Sequence, residues 1–269
     1  MVSIWSMKRA VVLLCALAGA TAAALMVVLA VAANKSAGAA TDQLPDLGMY
    51  KLTNIQIKKC TTTTGDCAFA GQLQLRFDTR IVNTGAGAFE VHGSRPDTST
   101  PTMSVTQRIF DDAGGYRDVP TTAQMYYAGD GHNHWHLKDL ESYTLTRLDN
   151  GAKVGTGAKE GFCFFDNYRF GSTADPFYTN CANRQPDALT VTAGLSRGWG
   201  DKYGYGSVGQ YIDVTNLTSG RYQLTTTADQ ANQFQESDET NNSTWVNVQL
   251  KGGKVRVLSY GPSAQPISG

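Results

Sequence analysis

Residues 73–82 read LQLRFDTRIV. Leu73, Leu75, Phe77 and Ile81 alternate with Gln74, Arg76, Asp78 and Arg80. Successive strand side chains point to opposite faces, so this period of two predicts a half-buried β-strand. The stretch NTGAG (83–87) then breaks it with turn residues. Outward from this strand the same pattern repeats. QRIFDDAGGYRDV (107–119) predicts a hairpin turning at Asp112–Gly115, and LESYTLTRLDNGAKVGTG (140–157) another turning at Asp149–Gly151. GQYIDVTNLTSGRYQLTTTA (209–228) reads as a third hairpin with TSG as its turn. NSTWVNVQLKGGKVRVLSY (242–260) reads as two strands around Gly252-Gly253. No helical period stands out after residue 44, and no repeat of fixed length is present. Many short strands at hairpin spacing predict an all-β, β-sandwich-like domain. Residues 164–200, rich in glycine, proline and aromatics, predict long irregular loops, which in a β scaffold often carry the site.

The chain has 269 residues, 41% hydrophobic and 17% charged, with zero formal charge. That is an ordinary globular mix, large enough to bury a proper core. No basic run or basic–aromatic patch is present, which argues against a nucleic-acid partner. Lys8 and Arg9 precede an uncharged apolar run, Ala10–Ala33, of 24 residues. The run is long for a signal sequence and just long enough to span a bilayer. Small-residue patterns at Ala30-Val31-Ala32 and Ala37-Gly38-Ala39 favour cleavage and a secreted product, with an uncleaved membrane tether through residues 10–33 as the second choice. The expected layout is a signal peptide or anchor at 1–33, a flexible stalk at 34–43, a catalytic domain at 44–260 and a tail at 261–269. Apart from Cys15 inside the apolar run, the cysteines are Cys60, Cys67, Cys163 and Cys181. An even count in an exported chain predicts two disulfides. Three pairings are open, and Cys60–Cys67 with Cys163–Cys181 closes the shortest loops.

The chemistry concentrates in GHNHWHLKDL (131–140). Three of the chain's four histidines, His132, His134 and His136, fall within it. On a strand, residues two apart share a face, and Gly129 and Gly131 allow a bend that converges three imidazoles on one ion. Neutral nitrogen ligands suit copper, zinc, nickel or iron, and not calcium or magnesium. The plain alternative is a polar strand face whose histidines only hydrogen-bond. The spacing does not choose between zinc hydrolysis and copper redox chemistry.

HNHWH followed by LKDLESYTL resembles the copper-binding segment of the lysyl oxidases. LPDL (44–47), LRFDTRIVNTGAGAFEV (75–91), SRP (94–96), AKEGFC (158–163), GLSRGWGDKYGYGSVGQYIDV (194–214) and ESDETNN (236–242) resemble further motifs of that family, in the same order. The resemblance implies copper(II) on His132, His134 and His136. It implies a lysine tyrosylquinone made from Lys159 and Tyr203, although Tyr205 lies only two residues from Tyr203. A substrate primary amine, peptidyl lysine included, condenses with such a quinone. A base removes its α-proton, and molecular oxygen reoxidises the cofactor, giving aldehyde, ammonia and hydrogen peroxide. The compact chain fits a bacterial-type exported member.

Three departures matter. Animal members have a histidine, a candidate base, where this chain has Tyr143, so the base falls to Asp139 or Asp201, either of which could equally be a structural acceptor. Residues 97–128 look inserted. The animal enzymes also carry more cysteines, so their disulfides do not transfer.

The acidic turn ESDETNN offers hard oxygen ligands of the kind calcium takes. The resemblance implies a calcium ion held by Asp46, the Leu47 carbonyl, Glu236, Asp238, Asn241 and Asn242, clipping the first segment of the domain to the last. A solvated acidic turn is the plain alternative. From a different class, a non-catalytic copper- or zinc-binding β-sandwich that adheres or stores metal also fits the histidine pattern.

Overall fold

Chain alternation decides the architecture, and among the described residues every regular element is a strand. The structure, a computed structural model, describes residues 39–267 except 64, 130 and 131. The apolar run expected as a targeting segment lies outside them. No described helix is long and apolar enough to cross a membrane.

In chain order the strands are β1 (Asp42–Gln43), β2 (Leu47–Met49), β3 (Thr53–Lys59), β4 (Leu73–Asn83), β5 (Phe89–Ser94) and β6 (Thr102–Asp111). Next come β7 (Tyr116–Ala128), β8 (His134–Lys138), β9 (Glu141–Arg147), β10 (Lys153–Thr156), β11 (Gly161–Phe162) and β12 (Tyr168–Arg169). The last are β13 (Thr190–Leu195), β14 (Trp199–Tyr203), β15 (Tyr211–Asp213), β16 (Gly220–Ala228), β17 (Ser243–Lys251) and β18 (Lys254–Tyr260). They form three sheets: β11-β8-β7-β6-β5-β13 with β1 on β6, β10-β9-β16-β17-β18, and β12-β14-β4-β15 with β2 and β3 also on β4. Every named pairing is antiparallel. The all-β reading holds.

One buried cluster ties the sheets together. It includes Leu75, Phe77 and Ile81 of β4, Trp135 and Leu137 of β8, and Tyr143 and Leu145 of β9. β4 is the hub. Its first half pairs with β3 and β15, its second half with β2 and β14.

The structure corrects the expectation that β4 has a wet face. Gln74, Arg76 and Asp78 are buried along with the apolar positions. A buried guanidinium must have partners, and Arg76 finds them. It donates to the Tyr205 carbonyl at 2.8 Å, to the Ser207 carbonyl at 3.2 Å, to Gln74 and to Asp66. Asp78 accepts from the Tyr205 backbone N–H at 2.7 Å. The polar side of β4 is therefore a bed for the loop that follows Tyr203.

Three other expectations change. The segment 209–228 is not a hairpin, because β15 pairs with β4 while β16 pairs with β9 and β17. Of the expected stalk, residues 34–38 lie outside the described residues. Asp42–Gln43 pair with Asp111 and Phe110 of β6, so the compact unit begins at Thr41. The expected tail is docked: the Ala264 N–H donates to the Met49 carbonyl at 3.1 Å, and Thr244 donates to the Pro262 carbonyl at 2.6 Å. The hairpins turning at 112–115, 149–151 and 252–253 form as read. Residues 97–128, read as an insertion, supply β6 and β7, and β7 carries the histidine strand.

Candidate active site

β8 lies between β7 and β11, with His136 opposite Tyr126 and His134 opposite Ala128. Strand alternation sends Trp135 and Leu137 into the core, each 1% exposed, and puts the histidines on the other face. Asn133 at φ 53 bends the chain just before the strand and brings His132 back toward the row. The ring centroids are then 4.8–5.5 Å apart, and one nitrogen from each ring lies within 4.8 Å of the others. His134 Nε2 and His136 Nε2 stand 2.9 Å apart. His136 is buried, which pushes its pKa down to about 2, with positive Lys159 the next cause. Its imidazole is therefore neutral and its lone pair available, as a transition-metal ligand requires. The donor set fits copper or zinc equally well.

The turn out of β8 leads through Asp139 to β9, and the segment 157–160 returns beside it. Two contacts fix that segment: Ala158 N–H to the Tyr211 carbonyl at 3.0 Å, and Asp139 N–H to the Glu160 carbonyl at 2.8 Å. Lys159 is thereby carried inward, to 8% exposure. Its Nζ lies 4.9 Å from the centre of the Tyr203 ring and 5.1 Å from that of Phe162. Gly161 is required here: a Cβ would meet the Tyr126 hydroxyl at 2.3 Å. That hydroxyl lies 3.4 Å from His136 Nδ1.

Tyr203 closes β14. Its hydroxyl donates to the Cys163 carbonyl at 2.6 Å and accepts from the Cys163 N–H at 2.9 Å. Its ring packs edge-on against Phe162 at 5.2 Å. Cys163 is itself anchored by a disulfide to Cys181, and Cys60 pairs with Cys67, so both local pairings form as read. Tyr205, by contrast, is 44% exposed, and only Tyr203 faces Lys159.

The two expected acids part company. Asp139 is exposed, in a left-handed turn at φ 57. Asp201 is buried, with Oδ1 accepting from Asn167. Burial, then the neighbouring Glu141, push its carboxyl well above the usual range. Tyr143, where the resemblance left the base in doubt, is buried and donates to Gln210 at 3.1 Å, with Thr79 3.2 Å away. Burial, then Glu141, raise its phenol well above its ordinary value.

Glu141 itself escaped the sequence reading. It is 2% exposed at the start of β9. Burial pushes it up to about 7, opposed by the hydroxyls of Thr79 and Tyr143 and by Lys159. The signal was its phase: Glu141, Tyr143 and Leu145 share the inward face, where an acid is out of place.

At the acidic turn, Glu236 is buried and accepts from the Leu47 N–H and, at 3.0 Å, from Asn242. Asn241 donates to Asp46 at 2.9 Å. Asp46, Leu47, Glu236, Asn241 and Asn242 thus converge. Asp238 is instead exposed and caps Thr240 at 2.8 and 2.6 Å. Glu239 and Asp229, not expected from sequence, bring carboxylate oxygens within 4.8 Å of Glu236. Burial, opposed by the Leu47 N–H, moves Glu236 up to about 8. Asn242 Oδ1 is buried with no hydrogen-bond partner. An orphan oxygen beside clustered carboxyls fits a hard cation.

Residues 103–259 match the family model described as lysyl oxidase. The chain belongs to the lysyl oxidase family. Lysyl oxidase homolog 3A of Danio rerio is 31% identical over 124 residues, 46% of this chain and 16% of that protein. Human protein-lysine 6-oxidase is 30% identical over 122 residues, 45% of this chain and 27% of that protein. Lysyl oxidase homolog 2B of Danio rerio is 24% identical over 204 residues, 75% of this chain and 22% of that protein. The chain therefore spans under a third of the length of these lysyl oxidase relatives.

Proposed function

We propose that this lysyl oxidase family member is an exported, copper-dependent oxidase of primary amines, releasing aldehyde, ammonia and hydrogen peroxide. The observation that carries the reading is Lys159 Nζ lying 4.9 Å from the Tyr203 ring centre, close to three convergent imidazoles. His132, His134 and His136 would hold copper. Lys159 and Tyr203 would form the lysine tyrosylquinone, which when present supplies an electrophilic carbonyl and a two-electron sink that oxygen empties. The chain's own residues do the rest. The two backbone bonds from Cys163 fix the Tyr203 oxygen, and the edge of Phe162 fixes its ring. Asp201 is held toward its neutral form by burial and by the neighbouring Glu141, whereas Asp139 stands in solvent.

Substrate would enter a cavity of ≈ 150 Å³ lined by Tyr126, His136, Lys159, Glu160, Val208 and Gly209. That volume fits an extended aminoalkyl chain, the lysine side chain included. Exposed Glu160 at the mouth gives an incoming ammonium a carboxylate to approach. Calcium at Asp46, Leu47, Glu236, Asn241 and Asn242 is part of the same proposal, as a structural clip. Export accords with the two disulfides, which persist in oxidising compartments. A secreted, signal-cleaved form is proposed first and a tether through residues 10–33 second.

The test is mass spectrometry and visible absorption of protein matured aerobically with copper. A Lys159–Tyr203 crosslinked peptide with quinone absorption is expected, together with amine-dependent peroxide. Copper bound without a crosslink would leave a metal-binding module, and activity with zinc in place of copper would point to hydrolysis.

A further inference from the structure

Glu141 is a fully buried acid that the proposed chemistry leaves unused. Neither of its carboxylate oxygens receives a hydrogen bond of ordinary geometry, and the Thr79 and Tyr143 hydroxyls stand near enough only to favour its charged form. A buried carboxyl left so is costly and calls for an explanation. Its surroundings supply one. β9 is the strand that leaves the histidine segment, and its inward face presents Glu141 and then Tyr143. The Tyr143 hydroxyl lies 3.2 Å from Thr79, and Thr79 is the direct strand partner of Tyr203. Lys159 acts on Glu141 from the segment before β11, and Glu141 acts on both Asp201 and Tyr203 from across the sheets. The acid therefore lies on the inward face of β9, within charge-interaction range of both Lys159 and Tyr203.

We propose that Glu141 is the catalytic base that takes the α-proton of the amine bound at the Lys159–Tyr203 cofactor. The inference rests on the function proposed above. In this step the α-carbon–hydrogen bond breaks and its proton passes to a Glu141 oxygen. The electron pair moves through the carbon–nitrogen linkage into the quinone, so the amine carbon is oxidised as the quinone is reduced by two electrons. Molecular oxygen then takes up those two electrons and, with two protons, leaves as hydrogen peroxide.

The other groups at the site are less fit for the role. Tyr143 has spent its hydrogen on Gln210 and holds its phenol protonated well beyond neutral pH. Asp201 has one oxygen committed to Asn167, and the second carboxylate beside it keeps its proton on. Of two interacting buried acids, one holds the proton and the other is free to accept one. Glu141, poised at about 7, is the one that can both gain and lose a proton near neutral pH.

The experiment compares wild type, E141Q and E141D as full chains matured aerobically with copper. Each is assayed for the Lys159–Tyr203 crosslinked peptide by mass spectrometry, and for the absorbance change with phenylhydrazine, which condenses with a quinone carbonyl without loss of a C–H proton. Turnover of butylamine and of its α-deuterated form is followed against pH. E141Q is expected to carry the crosslink and bind phenylhydrazine in wild-type yield. Its turnover should fall about 10²–10⁴-fold, the usual worth of a positioned base. It should also lose the acid limb of the wild-type kcat/KM profile, and E141D should recover part of the rate. Crosslinked E141Q turning over within tenfold of wild type overturns the assignment. So does E141Q without crosslink, which would make Glu141 a builder of the cofactor. Should E141Q not fold, crosslinked E141D with unchanged kcat overturns it equally. Wild type lacking the crosslink would instead sink the proposed function, and this inference with it.

Discussion

The histidine row and the Lys159–Tyr203 pocket are neighbours built by opposite means. The row is local: three residues at a spacing of two, on one strand and the turn before it, with convergence set by the pleat and one left-handed residue. The pocket is assembled. Lys159 comes from the segment before β11, Tyr203 from the end of β14, Glu141 from β9 and Thr79 from β4. Lys159 and Tyr203 meet because β4 holds β14 on one side while its buried polar face grips the loop beyond Tyr203. A local motif survives small changes in the fold around it. An assembled one depends on every sheet contact between its parts.

The sharpest way to break this contrast is Tyr203→Phe. The ring and its packing on Phe162 stay, and only the hydroxyl held by Cys163 is lost. No Lys159–Tyr203 crosslink should form and amine-dependent peroxide should fall to background, while copper content stays at wild-type stoichiometry. Retained peroxide production would show that the assembled pocket does not carry the chemistry. His136→Ala is the converse. It should cost more in copper affinity than the about 10–100-fold typical of losing an outer-shell partner, a loss measurable by competition with a chelator. Tyr126→Phe, which removes the 3.4 Å contact to His136 Nδ1, belongs at the bottom of that range. If Tyr126→Phe matched His136→Ala, the row would not be a self-sufficient unit.

The contrast also explains what was legible in the sequence. The alternating stretch 73–82 and the turns at 112–115, 149–151 and 252–253 are written in neighbouring residues, and the strands form where they predict. The histidine row is equally local. The exchange of β15 out of its apparent hairpin is not, because a short strand pairs with whichever edge the hub offers, and β4 offers one. The burial of Arg76 and Asp78 could not be read from alternation, since their partners Asp66, Tyr205 and Ser207 lie elsewhere in the chain. At the pocket, Lys159 and Tyr203 came from the family resemblance. Glu141 lay in plain view as an acid in the inward phase of a strand, yet weighed less than Asp139, which stands in solvent.

The Glu236 clip is assembled over a still longer range, from β2 to the turn before β17, and it tests whether such sites need their ion. Without a cation, Glu236 in the folded state titrates at about 8 against an ordinary 4.5. The folded protein then holds a proton that the unfolded chain releases. The stability this represents is fully present below about pH 4.5 and is lost as the pH rises through about 8. At about 1.4 kcal/mol per unit, the loss is at most about 5 kcal/mol. Thermal melts in chelator should therefore fall from about pH 5 to about pH 9. Added calcium should restore them most at the alkaline end, and Glu236→Gln should flatten both responses. Melts indifferent to calcium at high pH would reduce the turn to a solvated acidic loop.

The two disulfides give the smallest effect and the finest cut between local and assembled structure. Cys163–Cys181 closes a separation of 18 residues and Cys60–Cys67 one of 7. Loop-closure entropy makes them worth about 3 and about 2 kcal/mol. On stability alone the paired alanine variants should differ by only about 1 kcal/mol. Their effect on the pocket should differ in kind. Tyr203 takes both of its hydroxyl bonds from the Cys163 backbone, so freeing Cys163 loosens the atom that fixes the ring toward Lys159. Cys60 and Cys67 bracket a loop tied toward the site through Asp66, which bonds Arg76 and the Gly209 N–H. The Cys60/Cys67 variant should melt earlier and still form the Lys159–Tyr203 crosslink in wild-type yield. The Cys163/Cys181 variant should melt earlier and form it slowly or incompletely at temperatures where it remains folded. Equal crosslink yields would mean that Phe162 and β14 alone hold the ring, and that the pocket is less dependent on its distant parts than its geometry implies.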